Sequence, residues 1–251
     1  MSGPAIEPGT VATVAGWYGK IPALGDFASR RLPQGFINSW DAWLQRSLTT
    51  SRAALRESWQ ETYLNSPIWR FALLPGVVDD KCWIGIMMPS ADRVGRYFPL
   101  TIVLSLDPHP EIISTVFAAQ NWFAALEQIA LASLSMDFQI MELEEHLGKN
   151  PLIEDHLAPP PGSLSARELA SWWIGSGVEP IIFNLPDIDS INSVLGASGI
   201  NVLSASGFGK SLWWTCDELA ETTQFRCFSG LPPDNYFSVL LAGVASRPMS
   251  L

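Results

Sequence analysis

Gly16-Trp17-Tyr18-Gly19-Lys20-Ile21-Pro22-Ala23-Leu24-Gly25-Asp26-Phe27-Ala28-Ser29-Arg30-Arg31-Leu32-Pro33 is a run that neither a regular helix nor a regular strand would choose. Gly19, Pro22, Gly25 and Pro33 interrupt both periods, while Trp17, Tyr18, Ile21, Leu24 and Phe27 demand burial. Ordinary loops spend polar turn residues, so an apolar segment punctuated by Gly and Pro predicts a shaped, ordered loop clamped onto a core.

Working outward, Val11 to Tyr18 reads as a strand feeding this loop, and residues 1–10, with Gly3, Pro4, Pro8 and Gly9, read as a mobile lead-in. Downstream, Phe36, Trp40, Trp43, Leu44, Leu48, Leu55, Trp59 and Tyr63 recur at three- and four-residue intervals, which predicts one face of a helix. Thr49-Thr50-Ser51 predicts a kink in it or a joint between two helices, because short hydroxyl side chains compete for backbone hydrogen bonds. Trp69 to Leu74 and Cys82 to Met88, separated by Pro75-Gly76 and Asp79-Asp80, give a strand, turn, strand pattern. Tyr97 to Leu106 is almost uncharged and reads as a central strand buried on both faces. Between the last two runs, Pro89 to Arg96 concentrates Ser90, Asp92, Arg93 and Arg96 in a tight loop.

Gly19-Lys20-Ile21-Pro22, Gly25-Asp26-Phe27, the Trp-bearing helix from Phe36 and Pro89-Ser90-Ala91-Asp92-Arg93-Val94-Gly95-Arg96-Tyr97-Phe98-Pro99-Leu100 occur here in a fixed order. In these features the chain resembles the TagF (ImpM) family of type VI secretion system-associated proteins. The resemblance is good over about residues 15 to 125, with a looser echo at Ser211-Leu212-Trp213-Trp214-Thr215 and Phe228-Ser229-Gly230-Leu231-Pro232. It implies a non-catalytic post-translational repressor of the secretion machine that binds one of its components. The partner implied is the forkhead-associated-domain scaffold protein. The contact surface implied is Gly19, Lys20, Pro22, Gly25, Asp26 and Phe27 together with Ser90, Asp92, Arg93 and Arg96. The same residues fit a structural role equally well, since an Asp and two Arg in a tight loop commonly pair with each other and cap backbone groups.

The remainder of the chain predicts a helix over Pro110 to Leu134 and a more acidic one over Phe138 to Leu147. Pro151 to Pro161 is the best internal boundary. Beyond it, strands are expected at Ser171 to Ile174, Pro180 to Phe183, Ser211 to Cys216 and Gln224 to Phe228, with a short helix near Ile188 to Leu195 and a last one from Pro232 to Val244. The fold class expected is α/β (mixed α+β): a central mixed sheet flanked by helices, one compact unit with two lobes. Residues 11–150 form the first lobe and 163–251 a second that extends the same sheet.

The 251 residues are 47% hydrophobic and 16% charged, the balance of a globular chain with a full core. Most of the 11 Trp fall in amphipathic runs and read as core, leaving the rest as candidates for a contact surface. Net charge is −10 and uneven: 10 basic and 8 acidic residues up to Arg96, then 5 basic and 17 acidic. An acidic surface disfavours nucleic acid and anionic membranes and suits solubility or a basic protein partner. Three Cys without paired spacing fit a reducing compartment. Met1 to Ala15 has no Lys, no Arg and no long apolar run, so no signal peptide or membrane insertion is expected and the location expected is cytoplasmic.

The chemical motifs are incomplete. Gly209-Lys210-Ser211 ends like a phosphate-binding loop and would serve a small nucleotide-dependent enzyme, the alternative function. That loop needs a Gly where Ser204 stands and a helix where Leu212-Trp213-Trp214-Thr215 predicts a strand. Gly196-Ala197-Ser198-Gly199 lacks the spacing of a nucleophile elbow, and His109, His146 and His156 lie in Pro-flanked or acidic segments. Glu142 and His146 could share a helical face, but two ligands make no metal site. No cofactor, metal or catalytic residue is therefore expected.

Overall fold

In the computed structural model, residues 12–153, 163–175, 188–217 and 222–243 are described. The lead-in at 1–10 and the strand expected at 180–183 lie outside the described residues, as does most of the boundary at 151–161.

Three nearly continuous apolar runs form the middle of the sheet: β4 (Trp69–Leu73), β5 (Cys82–Met88) and β6 (Leu100–Leu106). They can be apolar on both faces because helices cover both. β2 (Gly16–Gly19) pairs with β6 and with β3 (Ala28–Arg30), so the order begins β3-β2-β6-β5-β4. On the far side β8 (Lys210–Asp217) pairs with β4, setting Arg70 opposite Trp214 and Leu73 opposite Ser211, and β9 (Thr222–Ser229) closes the seven-stranded order. The α/β class is as predicted, but the pairings are antiparallel throughout instead of mixed. The turns between β4, β5 and β6 are shorter than the crossover a parallel pair requires. The strand expected over Val11 to Tyr18 is divided: β1 (Ala12–Thr13) pairs instead with β7 (Leu152–Ile153), and β2 resumes at Gly16.

On one face lie α1 (Gln34–Leu55), α2 (Trp59–Leu64) and α8 (Phe237–Ala242), packed on the odd-numbered residues of β4. Trp40, Trp43, Phe71 and Trp213 form the heart of this layer, with Trp40 and Trp213 parallel at 6.1 Å and Trp43 edge-on to Phe237 at 5.6 Å. Each indole N–H here is satisfied: Trp40 Nε1 donates to Thr101 Oγ1, Trp43 Nε1 to the Pro232 carbonyl, and Trp69 Nε1 to the Leu240 carbonyl. On the other face α3 (Ile112–Ala118), α4 (Gln120–Ala132) and α5 (Ile140–Lys149) bury Val116, Phe123, Leu126, Leu143 and Leu147 against Trp17, Ile84, Ile86 and Ile102. Arg70 crosses into this layer and grips Glu127 through two hydrogen bonds of 2.6 and 2.7 Å, with a third, of 2.8 Å, to Gln120 Oε1. α7 (Ile188–Ala205) packs on α3, and α6 (Ser163–Ile174) packs on α7 through Ala166, Ala170, Val194 and Ser198.

Several local expectations are corrected. α1 runs unbroken through Thr49-Thr50-Ser51, because Thr49 Oγ1 and Ser51 Oγ bond back to the Gln45 and Leu48 carbonyls and Ser51 also accepts the Trp59 indole N–H. The break falls at Arg56, which takes a left-handed φ of 49°. The helix expected over 110–134 is interrupted at Ala119, and the strand expected at Ser171 to Ile174 is the last turn of α6. α7 runs ten residues beyond Leu195.

Candidate functional site

The two loops singled out in the sequence meet at one corner of the sheet. The first leaves β2 at Gly19 and returns into β3 at Ala28, so the shaped segment is the connection of a short hairpin rather than a loop over its whole length. Gly19 is required there: its φ is 135°, and a Cβ would come within 2.1 Å of the Pro99 carbonyl oxygen. The second loop is itself a tight hairpin. Ala91 bridges Tyr97, the Asp92 amide donates to the Arg96 carbonyl, and the Gly95 amide, at φ 78°, donates to the Asp92 carbonyl.

Asp92 joins the two. Its side chain is fully buried, and Oδ1 accepts the amides of Val94 (3.1 Å) and Arg96 (2.9 Å). Oδ2 accepts Lys20 Nζ at 2.9 Å and Arg96 Nε at 2.6 Å. Burial opposes the charge, but the Lys20 hydrogen bond, the Arg96 amide, the Arg96 guanidinium and the Val94 amide outweigh it and hold the carboxyl far below the usual carboxylate range. The stitching continues in the backbone: Arg93 N–H donates to the Leu24 carbonyl, Arg96 Nη2 to the Gly25 carbonyl, and Ser90 Oγ to the Lys20 carbonyl. Tyr63 buttresses the joint from α2. Its hydroxyl donates to the Ser90 carbonyl at 2.9 Å and accepts the Ser90 amide at 3.1 Å, and burial pushes its phenol up from its ordinary value.

The ten candidate residues thus divide. Lys20, Ser90 and Asp92 are buried and hold the loops together, and Gly19 serves the close backbone approach. Pro22 is half-buried and lines a cleft of about 270 Å³ shared with Leu64 and Met88. Gly25, Asp26, Phe27, Arg93 and Arg96 form an exposed lip. Phe27 is 44% exposed yet firmly seated, stacked on Tyr18, edge-on to Phe98 at 4.7 Å and capped by Lys20 Nζ at 4.7 Å from the ring centroid. Val94, at 72% exposure the most open apolar residue of the lip, escaped the sequence reading. Its signal was present, an aliphatic residue at a hairpin tip between Arg93 and Gly95 where turns favour polar residues.

Gly209-Lys210-Ser211 is built as a strand start. A helix precedes it and a strand follows, so no helix N-terminus faces the Lys and Ser. The Gly209 amide is taken by the Pro75 carbonyl, Lys210 Nζ by Ser229 Oγ, and Ser211 Oγ donates to the Gly230 carbonyl. The arrangement gives no cradle for phosphate. Among the described residues, no helix is long and apolar enough to cross a membrane.

The TagF N-terminal domain, type VI secretion system-associated, matches residues 16–149, a span that contains both loops. The crystal structure of PA0076 from Pseudomonas aeruginosa PAO1 is similar to this chain at 29% sequence identity and a TM-score of 0.68, covering 94% of this chain and 97% of that one. No curated protein matches.

Proposed function

The chain belongs to the TagF family of type VI secretion system-associated proteins, and on that premise we propose that it is a non-catalytic cytoplasmic regulator that represses the secretion system after translation by binding one of its components. The component is the forkhead-associated-domain scaffold. The observation that supports this reading is the lip formed by Asp26, Phe27, Arg93, Val94 and Arg96, which is exposed but tied through Arg96 to the buried Lys20–Asp92 ion pair. A lip that carries the exposed apolar side chains of Phe27 and Val94 together with two Arg has the composition of a protein-binding patch, and a lip fixed in advance loses little entropy on association.

The test is a titration of purified scaffold against wild-type protein and the Arg93→Glu/Val94→Asp variant. Wild type binds saturably, and the variant loses at least about 2 kcal/mol of affinity while its melting temperature stays within a few degrees. A folded variant that binds like wild type would move the contact surface elsewhere. A scaffold that does not bind wild type at all would remove it as the partner.

A further inference from the structure

The chain carries an apolar hollow on the face opposite α1, remote in sequence from the two loops. It measures about 480 Å³, a size typical of small-molecule sites, and opens to solvent between α3, the C-terminal half of α7 and the β8–β9 hairpin. Leu212 and Phe225 form its floor, Ile113 and Phe117 one wall and Leu203 the other. Phe117, Leu203 and Phe225 remain 37, 60 and 53% exposed around it, so the side chains that would close a core instead line an opening. The apolar lining ends in a single charged residue, Lys210. Its ammonium donates to Ser229 Oγ at 2.7 Å and has no carboxylate partner among the described residues, in a chain whose net charge is −10. Lys210, Leu212 and Trp214 alternate along one face of β8, so the cation marks one end of the hollow and the aromatic group Trp214, Phe117 and Phe225 the other.

We propose that this hollow binds a free amphiphilic anion, an unbranched alkyl chain with a carboxylate head. The chain lies over Leu212 between α3 and α7, and the head pairs with Lys210. A neutral ligand would leave the cation unused, and a second cation is repelled. This site is independent of the lip, and its test does not depend on the scaffold.

Displacement of a fluorescent fatty acid by dodecanoate and by dodecanol measures both ends of the ligand. Wild type takes one equivalent of dodecanoate. Lys210→Gln weakens dodecanoate roughly two- to fivefold and leaves dodecanol unchanged, since the change removes one partly exposed ion pair. Leu203→Trp, which fills the hollow from an exposed position, weakens both ligands at least about tenfold. Ser114→Phe does the same from the opposite wall if the first variant is poorly folded. Absence of saturable binding to folded wild type would overturn the proposal, as would binding that both filling variants leave intact. Binding to phosphatidylglycerol vesicles without binding of free dodecanoate would also overturn it, by assigning the hollow to a membrane lipid.

Discussion

Replacing Lys20 by Glu is the most informative single change, because charge reversal at a recognition residue and at a structural one have opposite signatures. The Lys20 side chain is 5% exposed, its ammonium sits 2.9 Å from an Asp92 carboxylate with no exposure, and it caps the Phe27 ring. Lys20→Glu removes the cation and sets a second carboxylate against the first. Breaking a buried pair in this way costs about 3–5 kcal/mol. Against a total stability of about 5–15 kcal/mol this is a large fraction. The corresponding fall in melting temperature for a chain of this length is about 6–20 °C. Lys20→Met keeps the aliphatic stem against Phe27 and leaves the Asp92 carboxylate to Arg96 and two amides, so its cost is smaller, about 1–3 kcal/mol. Arg93→Glu, whose side chain is exposed, should stay within about 0.5 kcal/mol of wild type. Urea unfolding with a common m-value measures all three. If Lys20→Glu unfolds within about 1 kcal/mol of wild type, the buried Lys20–Asp92 pair does not hold the loops together and the division of the site into stem and lip is wrong.

Glu127→Ala removes the carboxylate that takes two of the Arg70 guanidinium's hydrogen bonds in the α4 layer and should cost about 3–5 kcal/mol, whereas the double change Arg70→Met/Glu127→Leu should lie within about 1–2 kcal/mol of wild type; urea midpoints of the three proteins check this. Gly19→Ala combines an unfavourable φ with a contact of 2.1 Å to the Pro99 carbonyl and should lose at least about 3 kcal/mol, read by the same assay. Acid should act through Asp92. Its carboxyl is held low in the folded state, so its contribution to stability is complete above the unfolded value near 3.9 and disappears as pH falls through that value toward the folded one. Wild-type stability should therefore fall more steeply than that of Asp92→Asn between about pH 5 and pH 2, as urea midpoints at each pH will show.

The central sheet was legible because uninterrupted apolar runs such as Cys82 to Met88 have few alternatives once turns bracket them. The face of α1 was legible from the spacing of Trp40, Trp43 and Leu44, but its true end was not, since Arg56 gives no sign that it will adopt a positive φ. Trp172-Trp173-Ile174 looked like a strand on propensity alone; what makes it helical is the small-residue contact of Ala166 and Ala170 with α7, a tertiary effect. In the site, the sequence located both loops but could not rank their charges. Lys20 and Arg93 are both cations in Gly-rich turns, and only the fold sends the first inward to a carboxylate 72 positions away and the second outward.

The lateral position of β8 has a bearing on how the chain is made. The strand that completes β4 lies far downstream of it, beginning at Lys210, and with it come Trp213, the carbonyls that receive the Trp43 and Trp69 indoles, and α8. While the ribosome is still extending the chain, the segment matched by the family can pair β2 through β6, but one side of β4 offers free amides and carbonyls and the tryptophans of α1 lack their cover. The nascent protein is sticky until β8 and α8 emerge, and a premature stop ahead of β8 would release an aggregation-prone edge instead of a smaller working protein.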